Sequence, residues 1–205
     1  MSDTPLLIAG LGNPGAEYAR NRHNAGFMAA EVIHDRYRFA PWRSRFQAQF
    51  AEGAIAGRKT CLLKPMTYMN DSGISVGAAT RFFKLPLEAV VVMHDEVDLA
   101  AAKIRVKKGG GDAGNNGLRS ITSALGPDYR RVRIGVGRPP GEGSRVHNHV
   151  LGNFSKADEV WLVPLLDAIA EGAPWLVRDD DAGFMNKVAV ILNPPEKKPK
   201  PEKDV

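Results

Sequence analysis

Two short runs of apolar residues, each followed at once by a polar cluster, constrain the fold more than any other feature of this chain. The first run, PLLIAGLG, leads into Asn13, and the second, AVVVM, leads into His94 and Asp95. A strand that is apolar at every position has no side to turn towards water, so both of its faces must be covered. Strand patterns alternate with helical patterns along the rest of the chain. We therefore predict an α/β fold, a single domain with a mixed β-sheet.

The remaining elements follow from periodicity and from residues typical of turns and helix caps. Residues 46–65 form a predicted hairpin that turns at Ala56 and Gly57. Ser155 and Asp158 form a predicted capping box for a helix that runs to about residue 169, in which Pro164 predicts a kink or a late start. The other predicted elements are a helix over residues 24–37, a helix capped by Asp71 or Ser72, the strands KIRVK and RRVRIGVG, and a helix over residues 117–125.

Length and composition favour one domain over residues 1–193 and a tail over residues 194–205. The chain has 205 residues, and the tail is rich in proline and lysine with little to bury, so we expect it to be disordered. The N-terminus lacks a secretion signal, and no apolar run approaches the roughly 18 residues that span a bilayer. Cys61 is the single cysteine. These features predict a cytoplasmic protein with no membrane partner. The net charge of +5 is compatible with nucleic acid as a partner but does not require it.

The motif GLGNPG at residues 10–15 matches the glycine pattern of dinucleotide-binding folds, and Asp35 has the spacing of the acid that binds the ribose. The surrounding sequence disfavours that function. In such a site the helix opens inside the glycine run, so that its N–H groups face the pyrophosphate. Here Pro14 lacks an N–H group, and the predicted helix begins well after the glycines. We therefore predict no nucleotide cofactor.

Polar residues gather where predicted strands end and predicted helices begin. A histidine can take a proton from water near neutral pH, a carboxylate can fix its tautomer, and carboxamide N–H groups can stabilise an oxyanion. No serine or cysteine occupies a nucleophile-elbow motif, so direct attack by water is the simpler chemistry for a hydrolase. The candidate residues are Asn13, His23, Asn24, Asn70, Asp95, Asn115 and Asn116.

Each candidate also has a structural interpretation. Asn13 suits the turn before a proline, His23 and Asn70 suit helix caps, and Asp95 suits the end of a strand. Taken one at a time, these interpretations are at least as good as the catalytic ones.

The acidic segment HDEVD also suggests a metal site. Strand alternation, however, points Asp95 away from His94 and Glu96, and the chain has no HExxH motif. We predict no metal.

Five segments together resemble bacterial-type peptidyl-tRNA hydrolase: GLGNPGAEYARNRHNAGF, KPMTYMNDSG, HDEVDL, GGGDAGNNGLRSI and RRVRIGVGRP. They follow one another from about Leu7 to Phe154, which is most of the chain. The resemblance implies a mixed, twisted sheet surrounded by helices. It also implies an enzyme that recycles tRNA by hydrolysing the ester between a peptide and the 3′ ribose of tRNA, so that peptidyl-tRNA is the RNA partner.

The resemblance also implies roles for individual residues. His23 corresponds to the general base and Asp95 to the carboxylate that supports it. Asn70 and Asn116 match residues that bind the 3′ end of the substrate and help to place the water or the oxyanion. Asn13 matches the asparagine linked to a preference for N-acylated substrates. The other matching positions are Tyr18, Tyr68 and Met69, which line the site, and Lys107 and Arg133, which contact the tRNA backbone.

Two positions depart from the family pattern. Asn115 stands where the family usually has histidine, and Asp112 stands where histidine is common. Neither change removes the base, but both put in doubt how this loop grips the acceptor end of tRNA. An acid at position 112 beside phosphate is unfavourable unless it points away.

Cations alternate along two predicted strands. Lys103, Arg105 and Lys107 share one face of the first strand, and Arg131 and Arg133 share one face of the second. If the strands are neighbours, the cations form a basic platform suited to phosphate contacts without sequence readout. Ordinary half-buried strands explain the pattern equally well.

The segment over residues 138–153 is rich in glycine and proline, and we predict that it is a mobile loop forming a lid or rim over the cleft. His147 and His149 are then surface or lid residues. We expect a monomer, because no long apolar surface pattern is evident. Two other classes of function stay open: a non-catalytic RNA-binding relative, and a metal-dependent hydrolase of a small ester or amide.

Overall fold

Seven strands form one mixed sheet within the described residues of the computed structural model, which are 4–139 and 144–194. The order across the sheet is β2-β3-β4-β1-β5-β7-β6. The strands are β1 (Leu6–Gly10), β2 (Arg43–Arg45), β3 (Ala48–Ile55), β4 (Arg58–Pro65), β5 (Val90–Glu96), β6 (Ile104–Lys108) and β7 (Arg130–Gly135). The α-helices around the sheet are α1 (Ala25–Arg36), α2 (Ser72–Phe82), α3 (Asn116–Leu125), α4 (Ser144–Val150), α5 (Lys156–Val177) and α6 (Asp181–Leu192). The α/β fold with a mixed sheet surrounded by helices is thus confirmed.

The four central strands set the position of the site. β4, β1, β5 and β7 pair in parallel, whereas β2, β3 and β6 join the sheet in antiparallel pairs. Parallel strands end at the same edge of a sheet, so the loops after these four strands converge there. Every residue of β1 and β5 is buried, as two strands covered on both faces require.

The glycines of the first motif bring a helix close to a strand. A Cβ atom at Gly26 would lie 2.3 Å from the carbonyl oxygen of Met93, and a Cβ atom at Gly10 would lie 2.2 Å from that of Gly26. The start of α1 therefore packs directly on the ends of β1 and β5. These glycines serve close packing of helix and strand, and α1 begins only at Ala25, which is consistent with disfavouring a dinucleotide site.

The long helix α5 confirms one prediction and corrects two. The capping box of Ser155 and Asp158 is present, but the helix begins at Lys156 and continues to Val177, so the predicted late start and the end near residue 169 are both wrong. Pro164 removes the hydrogen bond to the carbonyl of Val160, four residues earlier. Val160 is 80% exposed, so water is available to that carbonyl and the helix tolerates the proline.

By length and composition alone, α5 is long and apolar enough to cross a membrane, which the count of uninterrupted apolar residues did not predict. In the folded protein, 56% of its most apolar 18-residue window is buried. It packs mainly against α6 and α1, as a core helix does.

Among the strands and α-helices of the described residues, β2, α4 and α6 were not predicted. The helix α4 lies inside the segment that was predicted to be a loop. Residues 140–143 of that segment and residues 195–205 of the predicted tail lie outside the described residues. The helix α6 packs on α5 through buried Phe184 and Val188, and Asp180 caps it by accepting a hydrogen bond from the N–H of Gly183.

Candidate active site

His23 and Asp95 meet at the edge where the parallel strands end. His23 lies in a single 3₁₀ turn, Arg22–Asn24, immediately before α1, and Asp95 is the penultimate residue of β5. The Nδ1 atom of His23 is 2.9 Å from each carboxylate oxygen of Asp95. The two side chains are 12% and 2% exposed. The predicted pairing of a histidine with a carboxylate is therefore present in the fold.

The environment of His23 changes its basicity. Burial by itself lowers the pKa of the imidazole. The negative charge of Asp95 and the hydrogen bond that it accepts from Nδ1 outweigh burial, so the pKa of His23 is raised above its ordinary value. The carboxylate thus stabilises the protonated ring. Because Nδ1 is engaged, Nε2 is the nitrogen available to take a proton from another molecule.

Asn24 and Asn13 connect this pair to the neighbouring loops. The Asn24 carboxamide accepts a hydrogen bond from the backbone N–H of Asn13 at 2.9 Å and donates one to its carbonyl oxygen at 3.0 Å. The Oδ1 atom of Asn13 accepts from the backbone N–H of Met69 at 2.8 Å. Asn24 therefore holds the loop after β1, and Asn13 joins that loop to the one after β4.

Residues of the β4 loop approach the site from one side. Tyr68 is 60% exposed, Met69 is buried, and Asn70 is exposed on the 3₁₀ turn Met69–Asp71. A Cβ atom at Gly117 would lie 2.6 Å from the sulfur of Met69, so this turn lies against the start of α3.

A cavity of about 230 Å³ opens beside His23. Its lining comes from four parts of the chain: His23, the end of β5 with Val97 after it, residues 112–116 at the start of α3, and one side of α4. The lining residues are His23, Asp95, Glu96, Val97, Asp112, Ala113, Gly114, Asn115, Asn116, Val146, His147 and Val150.

Several other predicted site residues do not line this cavity. Within the described residues, its lining does not include Asn13, Tyr18, Tyr68, Met69 or Asn70. The half-buried Tyr18 closes the 3₁₀ turn Ala16–Tyr18. Hydrogen bonds and packing through Asn13 and Met69 connect the β1 and β4 loops to the cavity's edge.

Asn115 and Asn116 line the cavity at the start of α3, as the N-cap and the first residue of the helix. The Oδ1 atom of Asn115 caps α3 by accepting from the N–H groups of Gly117 and Leu118 at 2.9 and 3.1 Å. Its Nδ2 atom is 3.4 Å from Oδ1 of Asp95. The exposed Asn116 accepts a hydrogen bond from Arg119 at 3.2 Å.

Asp112 lines the cavity, but its charge is balanced. It accepts hydrogen bonds from the Arg119 side chain at 3.1 Å and from the N–H of Gly114 at 2.9 Å. These hydrogen bonds lower the pKa of the carboxyl group. Asp112 thus borders the cavity as one half of an ion pair with Arg119.

The two cationic strands are neighbours, as the basic platform requires. In the antiparallel pair β6–β7, Arg105 lies opposite Arg133 and Lys107 lies opposite Arg131. Arg105 and Lys107 are exposed, and Arg133 is partly buried and bonded to Glu96 at 2.9 Å. The expectation that Arg131 belongs to an exposed platform is wrong, because its side chain is buried.

Arg131 instead supports the glycine-rich loop. Its guanidinium group donates to the carbonyl oxygens of Gly111 at 2.6 Å, Gly110 at 2.9 Å and Pro127 at 3.4 Å, and it lies over the ring of Tyr129. This loop leads directly to Asn115. Sequence alternation predicted the side of the strand on which Arg131 lies, but not the carbonyl groups that it meets there.

Arg22 connects the turn that carries His23 to the segment that follows α4. Its guanidinium donates to the carbonyl oxygen of Asn153 and to Asp158, both at 3.0 Å, and lies over the ring of Phe154. The backbone N–H of Arg22 donates to the carbonyl of Gly152 at 3.0 Å. The residue beside His23 is thus fixed to the end of the segment that carries α4.

One group of possible metal ligands occurs within the described residues, and it lies away from this cavity. Glu31, His34 and Asp35 of α1 have donor atoms within 4.8 Å of one another. Glu31 is already bonded to Trp42 and Lys64, and His34 to the carbonyl of Ala40 and to Asp35. These atoms form an internal hydrogen-bond cluster, and nothing else points to a ligand there.

Comparisons with known proteins agree on one family. Residues 7–200 match the family model described as peptidyl-tRNA hydrolase. The chain is 58% identical over 187 residues to the peptidyl-tRNA hydrolase of Mesorhizobium japonicum, covering 91% of this chain and 78% of the relative. It is also 58% identical over 189 residues to that of Granulibacter bethesdensis, covering 92% and 97%.

A solved structure supports the same assignment. The crystal structure of peptidyl-tRNA hydrolase from Acinetobacter baumannii superposes with a TM-score of 0.85 at 39% identity, covering 92% of this chain and 96% of that one. The α/β fold with a histidine and a carboxylate at the strand edge is thus that of a hydrolase. The chain belongs to the peptidyl-tRNA hydrolase family.

Proposed function

We propose that this enzyme hydrolyses the ester bond between the peptide and the 3′ ribose in peptidyl-tRNA, with water as the nucleophile and His23 as the general base. One observation carries the proposal: Nδ1 of His23 is 2.9 Å from both oxygens of Asp95 at the edge of a cavity. The products are free peptide and a tRNA that can be charged again.

His23 first takes a proton from water and then gives it to the leaving group. Nε2 takes a proton from water as the water oxygen attacks the ester carbonyl carbon. The tetrahedral intermediate then collapses, the bond to the ribose 3′ oxygen breaks, and that oxygen receives the proton from the imidazolium. Asp95 stabilises the imidazolium in between and holds the ring in the correct tautomer. The base is regenerated, and no covalent enzyme intermediate forms.

Carboxamides place the substrate and the water in this proposal. The Oδ1 atom of Asn13 is occupied by the N–H of Met69, which leaves Nδ2 as a donor for the carbonyl of an N-acylated substrate. Asn70 and Asn116 position the acyl ester and the water, and their exposure is consistent with substrate contact. Tyr18, Tyr68 and Met69 border the terminal adenosine and the peptide.

The platform binds the tRNA backbone in this proposal. Lys107 is exposed on β6, and Arg133 lies on the adjacent strand. Contacts of this type give affinity without sequence readout, which suits an enzyme that serves many tRNAs.

The setting of the proposed activity is a cytoplasmic monomer that needs no metal. The catalytic domain spans residues 1–193, with the tail over residues 194–205 outside the catalytic machinery. The hydrogen bonds between Nδ1 of His23 and both carboxylate oxygens of Asp95 engage these atoms with each other and not as metal ligands, which supports metal-free chemistry.

The test is release of N-acylated amino acid from charged tRNA, with and without EDTA. We expect N-acylated amino acid to be released at equal rates with and without EDTA. We expect no hydrolysis of small esters that lack tRNA. Loss of activity with EDTA, together with indifference to tRNA, favours a metal-dependent hydrolase of small esters. Binding of tRNA without release favours a non-catalytic RNA-binding protein.

A further inference from the structure

Asn115 contacts both the start of a helix and the carboxylate that pairs with His23. Its Oδ1 atom accepts from the N–H groups of Gly117 and Leu118, and its Nδ2 atom is 3.4 Å from Oδ1 of Asp95. The backbone N–H of Asn115 donates to the carbonyl of Asp112 at 2.8 Å, so the residue is held from both ends.

The two contacts of the side chain depend on one another. A carboxamide has one oxygen and one nitrogen, held in a plane. Because the N–H groups of α3 require the oxygen, the NH₂ group must point the opposite way, towards Asp95. The orientation of this amide is therefore fixed by the fold and not by the substrate.

We propose that Asn115 is a positioning residue: the amide that caps α3 also holds the Asp95 carboxylate in the orientation that bonds His23. This inference rests on the proposed function, because the contact between Asn115 and Asp95 matters for catalysis only if His23 acts as the base. An amide does not titrate, so the support that it gives Asp95 is the same at every pH at which the enzyme folds.

Among the described residues, the charged groups around the cavity have other partners and do not hydrogen-bond the Asp95 carboxylate in place of Asn115. Glu96 is paired with Arg133, and Asp112 is paired with Arg119. His94 turns away and bonds the backbone carbonyl of Asp95 at 2.7 Å. His147 faces the cavity from α4 and is exposed.

Across the described part of the chain, His23 and Asn115 are the two side chains with hydrogen bonds to the Asp95 carboxylate.

Two substitutions of Asn115 distinguish its role as the cap of α3 from its contact with Asp95. Asn115→Ser keeps an oxygen that caps a helix but removes the NH₂ group. Asn115→Asp also keeps the cap but turns a second carboxylate towards Asp95. Asp180→Ala, which removes the cap of α6 remote from the cavity, is the control for stability loss alone.

The readouts are the unfolding transition, kcat and KM on N-acylaminoacyl-tRNA, and the NMR titration of His23. For Asn115→Ser we expect a wild-type KM and a kcat about tenfold lower, since a hydrogen bond to a charged group is lost. For Asn115→Asp we expect the His23 titration and the acid limb of kcat/KM to move to higher pH, because added negative charge favours the imidazolium. Asp180→Ala should lower stability and leave kcat and the titration unchanged.

Folded Asn115→Ser and Asn115→Asp proteins with wild-type kcat and a wild-type His23 titration would overturn the inference. If Asn115→Asp does not fold, Asn115→Ser decides alone: a lower kcat at constant KM supports the inference, and an unchanged kcat overturns it. The titration does not require turnover, so it reports the contact even if His23 proves not to be the base. Failure of this inference is thereby distinguished from failure of the proposed function.

Discussion

The cavity around His23 and the strand β6 are both rich in polar groups, yet they are built in opposite ways. In the cavity, polar side chains are hydrogen-bonded within the protein: Asp95 to His23, Asp112 to Arg119, and Asn115 to the N–H groups of α3. On β6, the charged side chains are exposed to solvent. Catalysis needs reacting groups held within a fraction of an ångström, whereas a polyanion is bound by charge that can adjust to it.

Arg131 shows that position on a strand does not decide to which of these two regions a residue belongs. It lies opposite Lys107 in the β6–β7 register. Lys107 is exposed, but Arg131 is buried and bonded to the loop that carries Asn115. We therefore group Arg131 with the cavity and Lys107 with the platform.

The largest effect that separates the two regions should come from Asp95→Asn. We expect kcat to fall by roughly 10³-fold, because an amide neither fixes the same tautomer nor stabilises the imidazolium. The acid limb of the kcat/KM profile should move to lower pH, because the charge that raises the pKa of His23 is lost. The salt dependence of tRNA binding should stay as in the wild type. If the acid limb of the kcat/KM profile does not move, or if the salt dependence of tRNA binding becomes flatter, the distinction between the cavity and the platform is wrong.

Arg131→Met should give the next largest effect. The substitution removes the guanidinium hydrogen bonds to the carbonyl groups of Gly110 and Gly111, so we expect the free energy of unfolding to fall by about 2 kcal/mol. Urea denaturation measures this change. kcat should fall with the loosened loop while the salt dependence of binding stays constant. Full stability combined with a flatter salt dependence would place Arg131 in the platform.

Lys107→Ala should give the smallest effect. We expect tRNA binding to weaken a few-fold, and the slope of log K against log salt to fall by about 1, since one phosphate contact is lost. kcat and the pH profile should not change. Lys84→Gln, at an exposed lysine just after α2, is the matched control and should leave the slope unchanged. An equal slope in Lys107→Ala and wild type would remove Lys107 from the platform.

Much of this architecture follows from sequence because its physical signals are local. The buried strands β1 and β5, the hairpin turning at residues 56–57 and the capping box at Ser155 each depend on a few neighbouring side chains. The edge of the sheet at which polar residues gather follows from the rule that parallel strands end on one side, whereas the pairing of His23 with Asp95 was implied by the family resemblance.

What sequence did not predict depends on partners distant in the chain. Alternation gives the side of a strand but not what lies there, so the burial of Arg131 and the bonding of Asn24 to Asn13 were missed. The glycine- and proline-rich composition around α4 hid a short helix. In α5, Pro164 suggested a kink or a late start, and the predicted end near residue 169 was too early.

The measurement that tests the central claim most directly is turnover and tRNA affinity of His23→Ala, made side by side on N-acylaminoacyl-tRNA. The claim is that one imidazole, held by Asp95, activates the attacking water. The account predicts turnover lower by about 10³-fold or more, with tRNA affinity within a few-fold of wild type. Turnover close to that of the wild type would contradict it.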